Sequence, residues 1–310
     1  MPSSTVSHHS HSSAQASTRG GIAAATAFFA WGLWPLFLKP LHEVDTLQVA
    51  AWRAVLGCMV GFAWLAWRGE LHKARNAIAN HAVAVRLIAT ALLLMVNWSV
   101  YIWAIAHHQV VSSSLGYFIN PLMNVLLGVL VLSERLNRLQ WTAVLLATAS
   151  VAWLTISTGE LPWVALALAT SFSLYGLIRK TAAVEALPGS AVETLFMSPL
   201  AIVFLIYNQW HFANVLHHRS MEFFMLFLFG PLTTVPSVLF SYGAQRINYA
   251  TVGMLQYIAP TMQFMLGLFL FHETLSAVRL WCFVVIWIAL FIYATDSWLR
   301  MRITRKSAIA

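Results

Sequence analysis

Amide and hydroxyl side chains recur at helical spacing inside long apolar stretches of the chain. Ser113, Tyr117, Asn120 and Asn124 fall at steps of four, three and four, which puts them along one face of a helix. Gln256 and Gln263 share a face by the same spacing, and Tyr257 lies beside it. In surroundings without water, such groups either bond one another across helices or face a path that polar solutes use. Their spacing supplies no nucleophile with a base and no set of metal ligands, so it points to binding and not to bond breaking.

Charged side chains narrow the search. Of the ten carboxylates, Glu193 alone falls well inside an apolar run, and Arg53 is the cation in a comparable position. They lie at opposite depths, so the expected pairs are Arg53 with Glu273 and Glu193 with Arg135 or Arg138. Such pairs would serve as alternating gates or as static struts. Glu134 and Glu273 end the two polar helices, and Pro121 and Pro260 each remove a backbone donor from them, as a hinge or as a fixed kink. Trp31, Trp34, Trp98, Tyr101 and Tyr175 lie deep in other apolar runs, where an aromatic lining for an organic solute competes with plain packing.

Several chemistries are excluded by what is missing. There is no G-x-x-x-x-G-K-[ST] loop for ATP and no G-x-S-x-G elbow. His272-Glu273 opens like a zinc-protease motif, but Ser276 stands where the second His is needed. His107, His108, His211, His217 and His218 have no ligand spacing, and Cys58 and Cys282 read as buried packing. No cofactor and no metal are expected, and an enzyme is not.

The elements that must position these residues are set by composition. Sixty per cent of the 310 residues are hydrophobic and 9% are charged, too few charges to cover a water-soluble domain. The apolar residues come in runs of about twenty, the length that crosses a bilayer as a helix. Ten runs are predicted, at 20–41, 46–67, 84–106, 110–132, 139–157, 160–178, 189–207, 222–244, 249–271 and 278–298. The net charge of +8 is scattered through the loops between them, which argues for no nucleic-acid partner. Residues 1–19, rich in Ser and His, read as a disordered tail, and 299–310 as a basic one. With the N-terminus cytoplasmic, 14 of the 18 basic residues fall inside, so both termini are expected there.

An internal repeat organises the runs. Leu115–Leu136 and Met254–Leu275 align without gaps at an offset of 139, with identities that include Pro121/Pro260, Gly128/Gly267 and Glu134/Glu273. Trp31-Gly32 echoes Tyr175-Gly176, and Arg53 falls opposite Glu193. Two halves of five spans each must run in opposite directions, since five is odd. The expected fold is therefore all-α integral membrane: ten transmembrane helices as two five-helix inverted-topology repeats, residues 20–157 and 158–298. Inverted repeats of this kind carry alternating-access transport, with a site where the halves meet.

The Gly-Tyr-Phe-Ile-Asn-Pro stretch at 116–121 and the Gln-Tyr-Ile-Ala-Pro stretch at 256–260 resemble the drug/metabolite transporter superfamily, and within it the EamA-type permeases of the RarD kind. Asn97-Trp98, Tyr175-Gly176-Leu177-Ile178-Arg179-Lys180 and Thr233-Thr234-Val235-Pro236 match as well, which adds Asn97 to the candidate binding residues. The resemblance implies a multi-pass permease of the bacterial inner membrane, secondary-active, moving a small organic solute such as an amino acid, metabolite or drug. An intramembrane enzyme and a channel-like pore are the competing classes. Substrate and oligomeric state do not follow.

Overall fold

A computed structural model describes residues 5–38, 44–106, 110–158, 163–208, 220–270 and 277–307. These residues form helices joined by short turns, and no strand occurs among them. The helices are α1 (Thr5–Gly32), α2 (Trp34–Leu38), α3 (Thr46–Trp67), α4 (Leu71–Ala79), α5 (His81–Ala106), α6 (Val110–Leu130) and α7 (Arg138–Thr158). After them come α8 (Trp163–Thr181), α9 (Ala186–Tyr207), α10 (Ser220–Ala244), α11 (Tyr249–Gln256), α12 (Ile258–Phe269) and α13 (Ala277–Ser307).

Local sequence explains where several helices start. The Asp45 carboxylate accepts from the backbone N–H of Leu47 at 2.7 Å and caps α3. The Asn80 side chain does the same for α5, accepting from Ala82 and Val83. Asn137 and Gln140 accept reciprocally from each other's backbone N–H at 2.9 and 3.1 Å, a capping box at the start of α7. At the other end of the chain's first helix, α1 reaches back to Thr5, through residues that composition assigns to a disordered tail. No Pro or Gly interrupts Thr5–Arg19, so a helix nucleated by the apolar run can propagate backwards through them.

Seven helical segments among the described residues are long and apolar enough to cross a bilayer: Gln15–Phe37, Leu47–Trp67, His81–Tyr101, Arg138–Ser157, Ala186–Tyr207, Phe224–Ala244 and Tyr249–Phe269. Gly116–Leu130 and Leu280–Asp296 are shorter apolar helices. The chain is a multi-pass membrane protein. Helix α8 is less apolar because Ser171, Ser173, Tyr175, Arg179 and Lys180 crowd into it. Those groups face the bundle, as described below.

Helix α3 packs along α9, and the contact is antiparallel: Gly57 lies opposite Thr194 and Gly61 opposite Ala191. Further extensive pairings join α6 to α8, α1 to α10, α7 to α13, α3 to α10, α6 to α11, and α5 to α8 and α9. Buried aliphatic and aromatic clusters fill the seams. One gathers Val125, Val144, Met254, Tyr257 and Ile286 between α6, α7, α11 and α13. Another gathers Phe28, Tyr175, Phe240 and Tyr249 between α1, α8, α10 and α11.

Candidate functional site

A narrow cavity of about 40 Å³ opens between α3, α5, α8, α9 and α10. Arg53 and Ala54 line it from α3, and Leu94 and Trp98 from α5. Tyr175 enters from α8, with Ser190, Glu193, Thr194 and Met197 from α9. Thr233, Thr234 and Ser237 complete it from α10. A volume of that size holds a few waters and no organic solute, for which several hundred Å³ are typical.

Helix geometry puts the two charges where they are. Arg53 and Glu193 each lie seven residues in from the first residue of their helices, α3 (Thr46–Trp67) and α9 (Ala186–Tyr207). At 1.5 Å per residue that is about 10 Å along each axis, from opposite ends of an antiparallel pair. Arg53 stacks its guanidinium on indoles, with Cζ 3.7 Å from the Trp98 ring centroid and 4.9 Å from that of Trp34. No carboxylate among the described residues lies within ion-pair distance of it.

Glu193 is almost completely buried and pairs with Arg179, whose Nε lies 3.4 Å from Oε1. The expected partners Arg135 and Arg138 are exposed at the start of α7 and take no part. A cation in the last turn of a helix, where Arg179 stands, ordinarily snorkels to the interface. Instead it is fully buried, donating from Nε to Ser241 Oγ at 3.1 Å and from Nη2 to the Ala186 carbonyl at 3.0 Å. Its room comes from Gly189, where any Cβ would collide with the guanidinium. The expected partner of Arg53, Glu273, lies outside the described residues, as do the five loop histidines.

The polar stripes on α6 and α11 do other things. Asn124 donates from Nδ2 to Gln256 Oε1 at 2.6 Å, directly across the α6–α11 seam. Asn120 Oδ1 accepts from Ser173 at 2.7 Å, and Tyr257 donates to the Phe118 carbonyl at 3.1 Å. Asn97 donates to the Leu168 carbonyl at 2.9 Å and to Ser171 at 2.8 Å, tying α5 to α8. Tyr101 and Tyr117 are hydrogen-bond partners of each other, and Gln263 is half-buried on α12. Trp31 packs edge-on among Phe28 and Phe172 and tilted against Phe240, within the aromatic cluster under α8. From the expected set, the structure thus brings Arg53, Trp98, Tyr175 and Glu193 together at the cavity. The amides Asn97, Asn120, Asn124 and Gln256 are engaged in helix–helix hydrogen bonds.

Pro121 and Pro260 differ in their surroundings. Helix α6 runs unbroken through Pro121, whereas the rod of α11 and α12 is interrupted at Tyr257. Pro260 has no N–H to give the Gln256 carbonyl, and Tyr257 N–H turns to Met254 three residues back, at 3.3 Å. The Glu134 carboxylate reaches across to α11 and accepts from the Tyr249 and Ala250 N–H groups at 2.6 and 2.9 Å. It caps that helix from a loop more than a hundred residues away in sequence.

Among the described residues no group of three His, Cys, Asp or Glu stands ready to hold a metal. The cavity side chains Ser190, Thr194, Met197 and Ser237 were not singled out in the sequence. Ser190 was findable in principle, since it shares a face of α9 with Glu193 at a step of three.

The profile of the EamA-like transporter family matches residues 18–156. A protein named as an uncharacterized transporter in Pseudomonas aeruginosa is 41% identical over 291 residues, spanning 92% of this chain and 96% of that one. Protein RarD of Escherichia coli is 34% identical over 294 residues, spanning 94% of this chain and 99% of its own. A solved crystal structure at 19% identity superposes with a TM-score of 0.69 over 89% of this chain and 97% of its own, a likeness of fold. With relatives this similar over nearly their whole length, the chain belongs to the EamA-like transporter family of the drug/metabolite transporter superfamily, alongside the RarD proteins.

Proposed function

We propose that the chain is a secondary-active permease that moves a small organic solute across the bacterial inner membrane by alternating access. Ten spans in two inverted five-helix repeats, with both termini cytoplasmic, form the carrier in this reading. The observation that carries it is the cavity: α3 and α5 of the first half meet α8, α9 and α10 of the second around two opposite charges. A binding site at the junction of two halves is what rocking of one half against the other needs.

The pattern of helix packing supports the two halves. Exchange α1, α3, α5, α6 and α7 for α8, α9, α10, the α11–α12 rod and α13. The α6–α8 contact then becomes that of the rod with α1, α1–α10 becomes α8–α5, and α3–α10 becomes α9–α5, all of which are present. The α3–α9, α6–α11 and α7–α13 contacts map onto themselves. A cavity of about 40 Å³ fits a contracted form of the carrier that must widen to admit cargo.

Counterflow in proteoliposomes tests the reading. Preloaded unlabelled solute should drive transient, saturable accumulation of the labelled form, from a panel of amino acids, aromatic carboxylates and amphenicols. Flux that never saturates and carries large unitary currents indicates a pore instead.

A further inference from the structure

We propose that the cavity recognises an organic monoanion, with Arg53 as the residue that binds its carboxylate; the proposal rests on the carrier reading above. The argument is one of charge. Among the described residues, the cavity region holds three charged groups: Arg53, Glu193 and the Arg179 that pairs with it. Glu193 and Arg179 neutralise each other at 3.4 Å, and that leaves the Arg53 charge without a counter-ion among the described residues. A guanidinium stays protonated in a protein, so burial cannot remove the charge by deprotonation. An uncompensated charge in low dielectric is costly, and a bound anion of single charge brings the site to neutrality.

Geometry says which part of Arg53 is available. Its Cζ lies over the Trp98 and Trp34 rings, 3.7 and 4.9 Å from their centroids. These ring contacts supply no conventional acceptor to the N–H edge, and no described residue accepts a hydrogen bond from it. Two parallel N–H groups on such an edge match the two oxygens of a carboxylate. Ser190 Oγ, buried in the same cavity without a hydrogen-bond partner, is a further donor for the anion. Leu94, Met197 and the indole of Trp98 offer an apolar body its packing surface. The class is therefore an aryl or alkyl monocarboxylate.

The other charge states are tested against it directly. The purified full chain in detergent is titrated with four ligands of one shape: phenylacetate, phenylacetamide, phenethylamine and phenylalanine. Binding is read by the thermal midpoint and by tryptophan fluorescence, since Trp98 and Trp34 flank the site. Phenylacetate should raise the midpoint and alter the emission, while the neutral amide and the cation should do neither. Arg53→Gln should weaken phenylacetate binding at least about tenfold, the loss expected for a charge-assisted pair. Arg246→Gln, at an exposed position in the turn after α10, should leave it unchanged. The selectivity among ligands is measured on the unaltered protein, so it stands even where Arg53→Gln does not fold. Equal or tighter binding of the amide, the amine or the zwitterion overturns the proposal and leaves the carrier intact. No response to any of the four also overturns it. Absence of counterflow for every solute in liposomes would instead overturn the carrier reading.

Discussion

Arg179 shows how one side chain can hold three helices at once. Its guanidinium engages Glu193 of α9, Ser241 of α10 and the Ala186 carbonyl, while its own helix α8 is further tied by Gln245, which donates to the Arg179 carbonyl at 3.2 Å. Removing one partner of a buried ion pair strands the other, so Glu193→Gln and Arg179→Gln should each cost about 3–5 kcal/mol. Equilibrium unfolding in mixed micelles measures this, and a loss below about 1 kcal/mol would show the pair to be dispensable. The Asn124–Gln256 bond is expected to contribute less. A double-mutant cycle with alanine at both positions should give a coupling of about 0.6–1.7 kcal/mol, the range seen for interhelical bonds in membranes. Beyond the end of α3, Lys73 lies 2.9 Å from Glu185. The hydrogen bond that Lys73 donates to Glu185 raises its pKa above the ordinary 10.5, against a smaller opposing effect of desolvation. A raised folded pKa means the pair's contribution is complete below the unfolded value and fades as pH rises through the raised one. The midpoint difference between the wild type and Lys73→Met should therefore persist at neutral pH and fade as the pH rises past the ordinary lysine value.

At the scale of elements, close crossings set the tolerance to substitution. A Cβ on Gly253 would stand 2.5 Å from the Pro121 carbonyl oxygen and 3.0 Å from Asn124 Cβ, so α6 and α11 touch backbone to backbone there. Neither atom is the end of a flexible side chain. Gly253→Ala should cost about 1–3 kcal/mol through forced separation of the two helices. Gly21→Ala, within α1 and with nothing within 4 Å, is the control and should leave the midpoint unchanged or raise it slightly. Thermal unfolding in detergent distinguishes the two. Helix α8 is not among the seven helices apolar enough to cross, and the structure gives the reason. Asn97, Asn120, Tyr249, Arg179 and Lys180 all make their bonds at its surface, the last to the Ala244 and Ile247 carbonyls. Polar residues that weaken a hydropathy signal are here the ones that fasten the element.

For the whole molecule, the paired packing partners and the scatter of basic residues lead to one topological expectation. A green fluorescent protein fused after Ala310 should fluoresce, since both termini are expected on the cytoplasmic side. A dark fusion together with activity of alkaline phosphatase at the same position would reverse the orientation.

Composition and apolar run length identified a membrane protein before any contact was known, because a helix satisfies its own backbone and needs only about twenty apolar residues to cross. Arg53 and Glu193 were conspicuous for the same reason, as charges where solvation is missing. Partners were not legible. Glu193 reaches Arg179, not Arg135 or Arg138, and Asn124 reaches Gln256, because register and depth between helices are set by packing across the bundle. The stripes on α6 and α11 share a periodicity with a cavity lining, yet periodicity names a face and not what covers it. What covers it was decided by the crossing at Gly253, which brings the two stripes within bonding distance. The open space lies instead around Arg53 and Glu193, and only the tertiary structure separates an amide that fastens helices from a charge left facing a cavity.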